Sequence, residues 1–194
     1  MIDLIDDVVN ASIQVKQSIL ANQDIKADIA SAANALIRLF EGSGKFLVAG
    51  NGGSAADAQH IAAEFVVRFK RNRRALPAIA LTVDSSVLTA AGNDFSFDEV
   101  FSRQVEALGS SGDVFLGIST SGNSRNILAA LRAAKAAGLE TIALTGKHIT
   151  PMDALADIVI KAPSEVTARI QEAHIMIGHI LCQIVDDHFA GELA

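Results

Sequence analysis

Five short, unbroken apolar runs constrain this chain more than any other feature. They are Phe46-Leu47-Val48-Ala49, Ala78-Ile79-Ala80-Leu81-Thr82-Val83, Val114-Phe115-Leu116-Gly117-Ile118, Thr141-Ile142-Ala143-Leu144 and Ile158-Val159-Ile160. A strand that meets water on one face alternates apolar and polar residues; a continuous run marks a strand buried on both faces. Helical patterns separate the runs, over residues 54–70, 85–92, 97–108 and 123–137. Strands alternating with helices predict a parallel sheet, covered on both sides and joined by right-handed crossovers.

The two ends of the chain read differently from this centre. Residues 1–42 predict two helices; in the second, Ile25, Ile29, Ala33, Leu36, Ile37 and Phe40 recur at helical spacing until Gly42-Ser43-Gly44 stops them. A long helix is expected from Glu165 to Phe189, with Ser164 as its cap and Pro163 just before. Its apolar residues (Ile170, Ala173, Ile175, Met176, Ile177, Ile180, Leu181, Ile184, Val185) leave little polar face, so it must be buried on most sides. The expectation is one α/β unit over 1–194. It divides into N-terminal helices at a subunit interface (1–42), an α/β core (43–163) and a C-terminal helix (164–190) that also serves oligomerisation.

Composition narrows the function classes. In 194 residues, half are apolar and 20% are charged, which excludes a disordered chain. The net charge of −6 counts against binding duplex nucleic acid, which calls for a basic footprint. With nine Phe but no Trp or Tyr, the core must be built from Ala, Ile, Leu and Val. Cys182 is the single cysteine, so an internal disulfide and a cysteine-based structural zinc site are excluded. Its apolar helical surroundings predict a buried, inert thiol. An acidic N-terminus without a basic leader pattern, and apolar runs well short of the roughly 20 residues of a membrane span, predict a soluble cytoplasmic protein with no membrane partner.

Two turns rich in small residues follow strands and precede helices: Gly50-Asn51-Gly52-Gly53-Ser54-Ala55, and Ser119-Thr120-Ser121-Gly122-Asn123-Ser124. Free N–H groups and the helix dipole favour an anion there, and the hydroxyls add donors. In an open parallel sheet, ligands bind in the crevice at those strand ends. Either turn alone reads as an ordinary strand–helix connection; two in one unit point to a phosphate or phosphosugar. The first turn also fits the loose dinucleotide pattern G-x-G-x-x-A, but Asp84 lies further away than the usual acidic partner, about 20 residues on. A Walker A lysine is absent.

His60 and Glu64 stand four residues apart on the helix after the first turn, and so share a face near the crevice. Such a pair suits metal ligation or acid–base work, against the plainer reading of a surface contact. The apolar neighbours Ile61, Ala62, Ala63 and Phe65 predict little solvated surface around it. The last helix carries Arg169, Gln171, Glu172, His174 and His179. Gln171 and His174 share a face, whereas Gln171 and His179 are ~12 Å apart along the axis and meet one small ligand only by convergence or from different subunits. Spacing leaves His174 and His179 both open. His148 and His188 stand in no recognisable polar constellation and read as surface residues.

Taken together, the sequence resembles the phosphoheptose isomerases of the sugar-isomerase (SIS) family. The resemblance rests on the two turns, on His60-Ile61-Ala62-Ala63-Glu64, on Gly92-Asn93-Asp94-Phe95, and on Arg169-Ile170-Gln171-Glu172-Ala173-His174 followed by His179. It spans nearly the whole chain. It implies a three-layer, flavodoxin-like fold around a five-stranded parallel sheet, a homotetramer, and active sites built at subunit contacts. It implies isomerisation of sedoheptulose 7-phosphate to D-glycero-D-manno-heptose 7-phosphate, the first step towards nucleotide-activated heptose for surface polysaccharide. Substrate contacts are implied at Asn51, Gly52, Gly53, Ser54, Glu64, Asn93, Asp94, Ser119, Thr120, Ser121, Ser124 and Gln171. One zinc ion per subunit is implied at His60, Glu64, Gln171 and His179. The family pattern departs at Ala168, where some members carry an acid.

Aldose–ketose isomerisation needs a base at carbon and an acid or electrophile at the oxygens. Glu64 is expected to move the carbon proton and His179 the oxygen protons, with the seryl turn on the phosphate. Two rival readings differ in class. One is a binding module like the relatives that associate with the replication initiator DnaA, which lack counterparts of Glu64 and His179. The other is a dinucleotide-binding protein.

Overall fold

The computed structural model describes residues 1–192, so the last two residues of the expected 1–194 unit lie outside the described residues. In chain order come α1 (Ile2–Ala21), α2 (Gln23–Glu41), β1 (Phe46–Gly50), α3 (Gly53–Val66), β2 (Ala78–Ala80), α4 (Ser85–Asp94), α5 (Ser102–Leu108), β3 (Val114–Ile118), α6 (Arg125–Ala136), β4 (Glu140–Thr145), β5 (Ile158–Lys161) and α7 (Thr167–His188). The five strands form one sheet in the order β2-β1-β3-β4-β5, every neighbouring pair parallel. Chain connections reverse direction between β1 and β3, and the ligand crevice of an open α/β sheet opens at such a point.

The unbroken apolar runs are explained by two cores. Phe46 and Val48 of β1, with Val114, Leu116 and Ile118 of β3, pack against α2, α3 and α7. Leu47, Ala49 and Phe115, one residue out of phase, pack against α4, α5 and α6. With no Trp or Tyr to fill the first core, Phe40, Phe46 and Phe65 cluster at its centre. Phe65 sits with its ring centroid 5.4 Å from each of the other two. Cys182 lies in the same core, and burial, followed by the nearby Glu64 carboxylate, pushes its thiol pKa up to about 12.

Several element boundaries differ from the sequence expectation, each for a local reason. β2 stops at Ala80 because it is an edge strand with only the three pairs Phe46–Ala78, Leu47–Ile79 and Val48–Ala80; the chain then turns into α4, capped by Asp84. α3 stops at Val66, four residues early, because the N–H groups of Phe69, Lys70 and Arg71 donate to the Asp186 carboxylate instead of continuing the helix. Residues 97–108 split into a 3₁₀ turn at Phe97–Glu99 and α5. Ser164 does not cap α7: its hydroxyl accepts the Val166 N–H one turn earlier, and α7 begins at Thr167.

The two ends of the chain also differ from each other. α7 buries Ile170, Ala173, Ile177, Leu181 and Val185, though Ile184 reaches solvent. In α1 only Ile19 is buried, and Ile2, Leu4, Ile5, Val8, Val9, Ile13 and Leu20 are exposed. α1 is tied to α7 mainly by polar contacts: Ser12 Oγ donates to Glu172 (2.6 Å), and Arg169 Nη1 donates to the Val8 carbonyl (2.9 Å). Among the described residues, no helix is long and apolar enough to cross a membrane.

Candidate functional site

Both small-residue turns lie at the carboxyl ends of adjacent strands, β1 and β3. The first is shaped by glycine: Gly52 adopts φ +56°, and a side chain on Gly50 would collide with the Ser54 backbone. No side chain among the described residues caps α3; the Ser54 and Ala55 N–H groups donate to the Asn51 and Gly52 carbonyls, which leaves the Gly53 N–H for a ligand. In the second turn Ser119 is buried, with its Oγ 2.9 Å from Ser124 Oγ and 3.4 Å from Ser121 Oγ. Ser124 is therefore turned towards the other hydroxyls and does not cap α6, which leaves the N–H groups at that end uncapped. A reciprocal amide pair joins the first turn to the start of α6. Asn51 Nδ2 donates to Asn126 Oδ1 and Asn126 Nδ2 to Asn51 Oδ1, both at 2.9 Å. Asn126, nearly fully buried, escaped the sequence reading; its signal was an amide in the first turn of a helix that otherwise turns apolar residues inward.

Beside the seryl turn opens a cleft of about 290 Å³, lined by Thr120, Ser121, Gly146, His148, Thr150, Ser164, Glu165, Thr167 and Ile170. His148, expected to be an unpartnered surface residue, is exposed as expected but not isolated: its Nε2 is 3.1 Å from Glu165, which also pairs with Lys147 at 2.9 Å. Likewise His188 meets Glu41 at 3.0 Å. Partners supplied by α2 and by the segment before α7 made these pairings invisible to local sequence.

The histidine–carboxylate group forms where α3 and α7 run side by side in the same direction. Gly53 meets Gln171, Ile61 meets Gly178, and His60 meets His179. Glycine sits at two of these contacts because a Cβ at Gly178 would lie 2.7 Å from Ile61, and one at Gly53 would lie 2.6 Å from the Gln171 amide. His60 Nε2 and His179 Nε2 are 2.9 Å apart, and His60 Nε2 is 3.5 Å from Glu64 Oε1. The pair is more solvated than its apolar neighbours implied, with the His60 side chain 48% exposed and that of Glu64 22%. Ile61 and Phe65 are buried in the core and leave the face bearing His60 and Glu64 open.

His174 takes a different place. It is fully buried, its Nε2 is 3.0 Å from the Thr145 carbonyl, and its Nδ1 has no partner among the described residues. Burial lowers its pKa to about 4, the Thr145 contact opposing only in part, so it is a neutral core imidazole that donates from Nε2. Of the two histidines that spacing left open, His179 is the one at the α3–α7 seam beside His60.

Not every candidate residue is gathered in one chain. Gln171 lies against Gly53, two helical turns from His179. Asn93 and Asp94 are exposed at the end of α4, hydrogen-bonded to each other at 2.8 Å, and Asp94 lines a separate cleft with Phe95 and Arg103. Among the described residues, no three His, Cys, Asp or Glu side chains close as a ready metal cage. The donor chemistry of His60, Glu64 and His179 nevertheless fits zinc. Donors about 2.0–2.1 Å from a tetrahedral ion stand roughly 3.3 Å apart, and the observed 2.9 and 3.5 Å bracket that value.

Comparison with known proteins gives consistent findings. The SIS-domain family model matches residues 10–146. The phosphoheptose isomerase of Sulfurimonas denitrificans is 47% identical over 97% of this chain and 96% of its own length. That of Clostridium acetobutylicum is 50% identical over 99% and 98%. Among solved structures, a phosphoheptose isomerase from Francisella tularensis superposes with a TM-score of 0.92 at 40% identity, covering 96% of this chain and 98% of that one. The Neisseria gonorrhoeae phosphoheptose isomerase gives 0.89 at 42% identity, covering 95% and 98%.

Proposed function

This chain belongs to the SIS-domain family, among the phosphoheptose isomerases, and from that premise we propose that it converts sedoheptulose 7-phosphate into D-glycero-D-manno-heptose 7-phosphate by enediol proton transfer. The observation that carries the reading is the meeting of two imidazoles and a carboxylate across the α3–α7 seam. Glu64 takes the proton from C1 of the ketose and returns it to C2. His179 passes the compensating proton between the two oxygens, so substrate and product are isomers and nothing else is consumed. The phosphate is held by the hydroxyls of Ser119, Thr120, Ser121 and Ser124 and by the uncapped N–H groups of α6. Asn51, Gly52, Gly53 and Ser54 line the other wall of the crevice.

Zinc is the metal we assign, one per subunit, with His60, Glu64, Gln171 and His179 as its holders. When bound it supplies Lewis-acid polarisation of the carbonyl. Because Gln171 is two turns from His179 in one chain, we assign completion of the set, and the recruitment of Asn93 and Asp94, to a neighbouring copy. The exposed apolar residues of α1 support a homo-oligomer, a tetramer by family, formed through that helix. We place the reaction in the cytoplasm, at the start of activated-heptose synthesis for surface polysaccharide. Ala168 leaves any task of the family acid at that position to another residue.

The similarity findings do not favour the initiator-binding alternative, and Glu64 and His179 are both present. Incubating the zinc-loaded protein with sedoheptulose 7-phosphate and identifying the product by NMR tests the reading. The aldoheptose 7-phosphate is expected, and an unchanged ketose overturns it.

A further inference from the structure

His179 is gripped from two sides. One face stacks on the Phe69 ring, with centroids 5.5 Å apart and planes 27° from parallel, and the other side meets His60 edge-on at 5.1 Å and 73°. Phe69 lies in residues 67–77, which form no helix or strand, so its position needs a cause. The cause is Asp186. Its buried carboxylate accepts the N–H groups of Arg71 (2.6 Å), Lys70 (2.8 Å) and Phe69 (3.4 Å). Burial would raise its pKa, but these donors and the adjacent Arg73 outweigh burial and hold it below the usual carboxylate range.

Arg73 completes the brace. Its Nε is 2.9 Å from Asp186 Oδ1, with both side chains essentially inaccessible, and its terminal nitrogens donate to the carbonyls of Glu64 (2.8 Å) and Phe65 (2.9 Å). One buried ion pair thus fixes the last turn of α3, the loop bearing Phe69, and α7. Asp186 and His179 are seven residues apart, two turns on one helix face.

We propose that Phe69 is a positioning residue for His179, held in place by the Arg73–Asp186 brace. The torsion that turns an imidazole is broad and soft, so without a stacked neighbour the ring swings and Nε2 leaves the point shared with His60 and Glu64. A misplacement of about 1 Å is enough to cost ~10²-fold in rate.

The kinetic part of the test rests on the isomerase reading; the spectroscopic part does not. Phe69→Leu keeps apolar bulk and removes the stacked ring, and Phe69→Tyr restores a ring. In Phe69→Leu, kcat for sedoheptulose 7-phosphate is expected to fall about tenfold while KM stays within about twofold, and Phe69→Tyr should recover most of kcat. NMR of the resting protein should show the His179 ring protons moving downfield in Phe69→Leu, as the shielding of the stacked ring is lost, and returning in Phe69→Tyr. The proposal is overturned if kcat is unchanged in Phe69→Leu, if the Tyr variant falls as far as the Leu variant, or if the His179 signals stay in place. If the wild-type protein does not turn over the ketose, the isomerase reading fails, and the His179 signals alone decide this one.

Discussion

The seryl turn and the α3–α7 seam make an instructive pair. The turn draws its hydroxyls from Ser119 to Ser124, six consecutive residues placed by one strand end and one helix start. The seam draws His60 and His179 together from 119 residues apart, and it depends on two glycines, a helix register and a buried ion pair to do so. A phosphate site can be built locally because N–H groups and hydroxyls near a helix start already converge. The proposed proton transfer needs a base at carbon and an acid at the oxygens, and the two residues proposed for it, Glu64 and His179, come from different helices.

The comparison breaks most visibly at the groups proposed to react at the seam. Glu64→Gln and His179→Gln should each lower kcat by about 10³-fold, with little change in melting temperature, since both side chains are partly solvated. Steady-state kinetics alongside thermal melts checks this.

A second difference is that the long-range region carries a buried titratable group. His174 has a pKa of about 4 in the folded protein, against about 6.5 when unfolded. Above pH 6.5 both states are neutral there. As pH falls from 6.5 towards 4 the unfolded chain binds the proton first, so stability is lost, by up to about 3 kcal/mol. His174→Gln should remove this share, which urea melts of both proteins at pH 7 and pH 4.5 would reveal as a smaller loss in the variant.

The turn breaks in another way. Gly122 holds φ +64°, and a Cβ there would run into the Thr150 side chain. Gly122→Ala should cost about 2 kcal/mol or more, measured by urea denaturation, and weaken substrate binding with it. The smallest effect belongs to one hydroxyl among several. Ser124→Ala should raise KM about tenfold and leave kcat within about twofold, because it removes a contact made equally in ground and transition states. A fall in kcat with unchanged KM would place Ser124 in the chemistry instead.

The same contrast explains what could be read from sequence. The sheet was legible because both faces are buried, so β1, β3 and β4 announce themselves as apolar runs. β2 was read too long because an edge strand with one neighbour ends where pairing ends, and hydropathy does not record that. Both turns were legible as strand–helix connections, because their small residues stand consecutively between an apolar run and a helical pattern. The resemblance to the SIS family named His60 and His179 together, but spacing within α7 did not, because the register of α7 on α3 is set by tertiary contacts. Asn126, the His148–Glu165 contact and the Asp186 brace were missed for that reason: each partner lies far along the chain.

The central claim is that one base moves a proton between C1 and C2 through an enediol. Running the conversion of sedoheptulose 7-phosphate in D₂O and reading the product by NMR and mass spectrometry tests it most directly. A proton held by Glu64 exchanges with solvent in a share of turnovers and returns directly in the rest, so the account predicts D-glycero-D-manno-heptose 7-phosphate whose deuterium content at C2 rises as the mixture turns over towards equilibrium. Failure to form the aldose, or no deuterium at C2 after prolonged turnover, would contradict it.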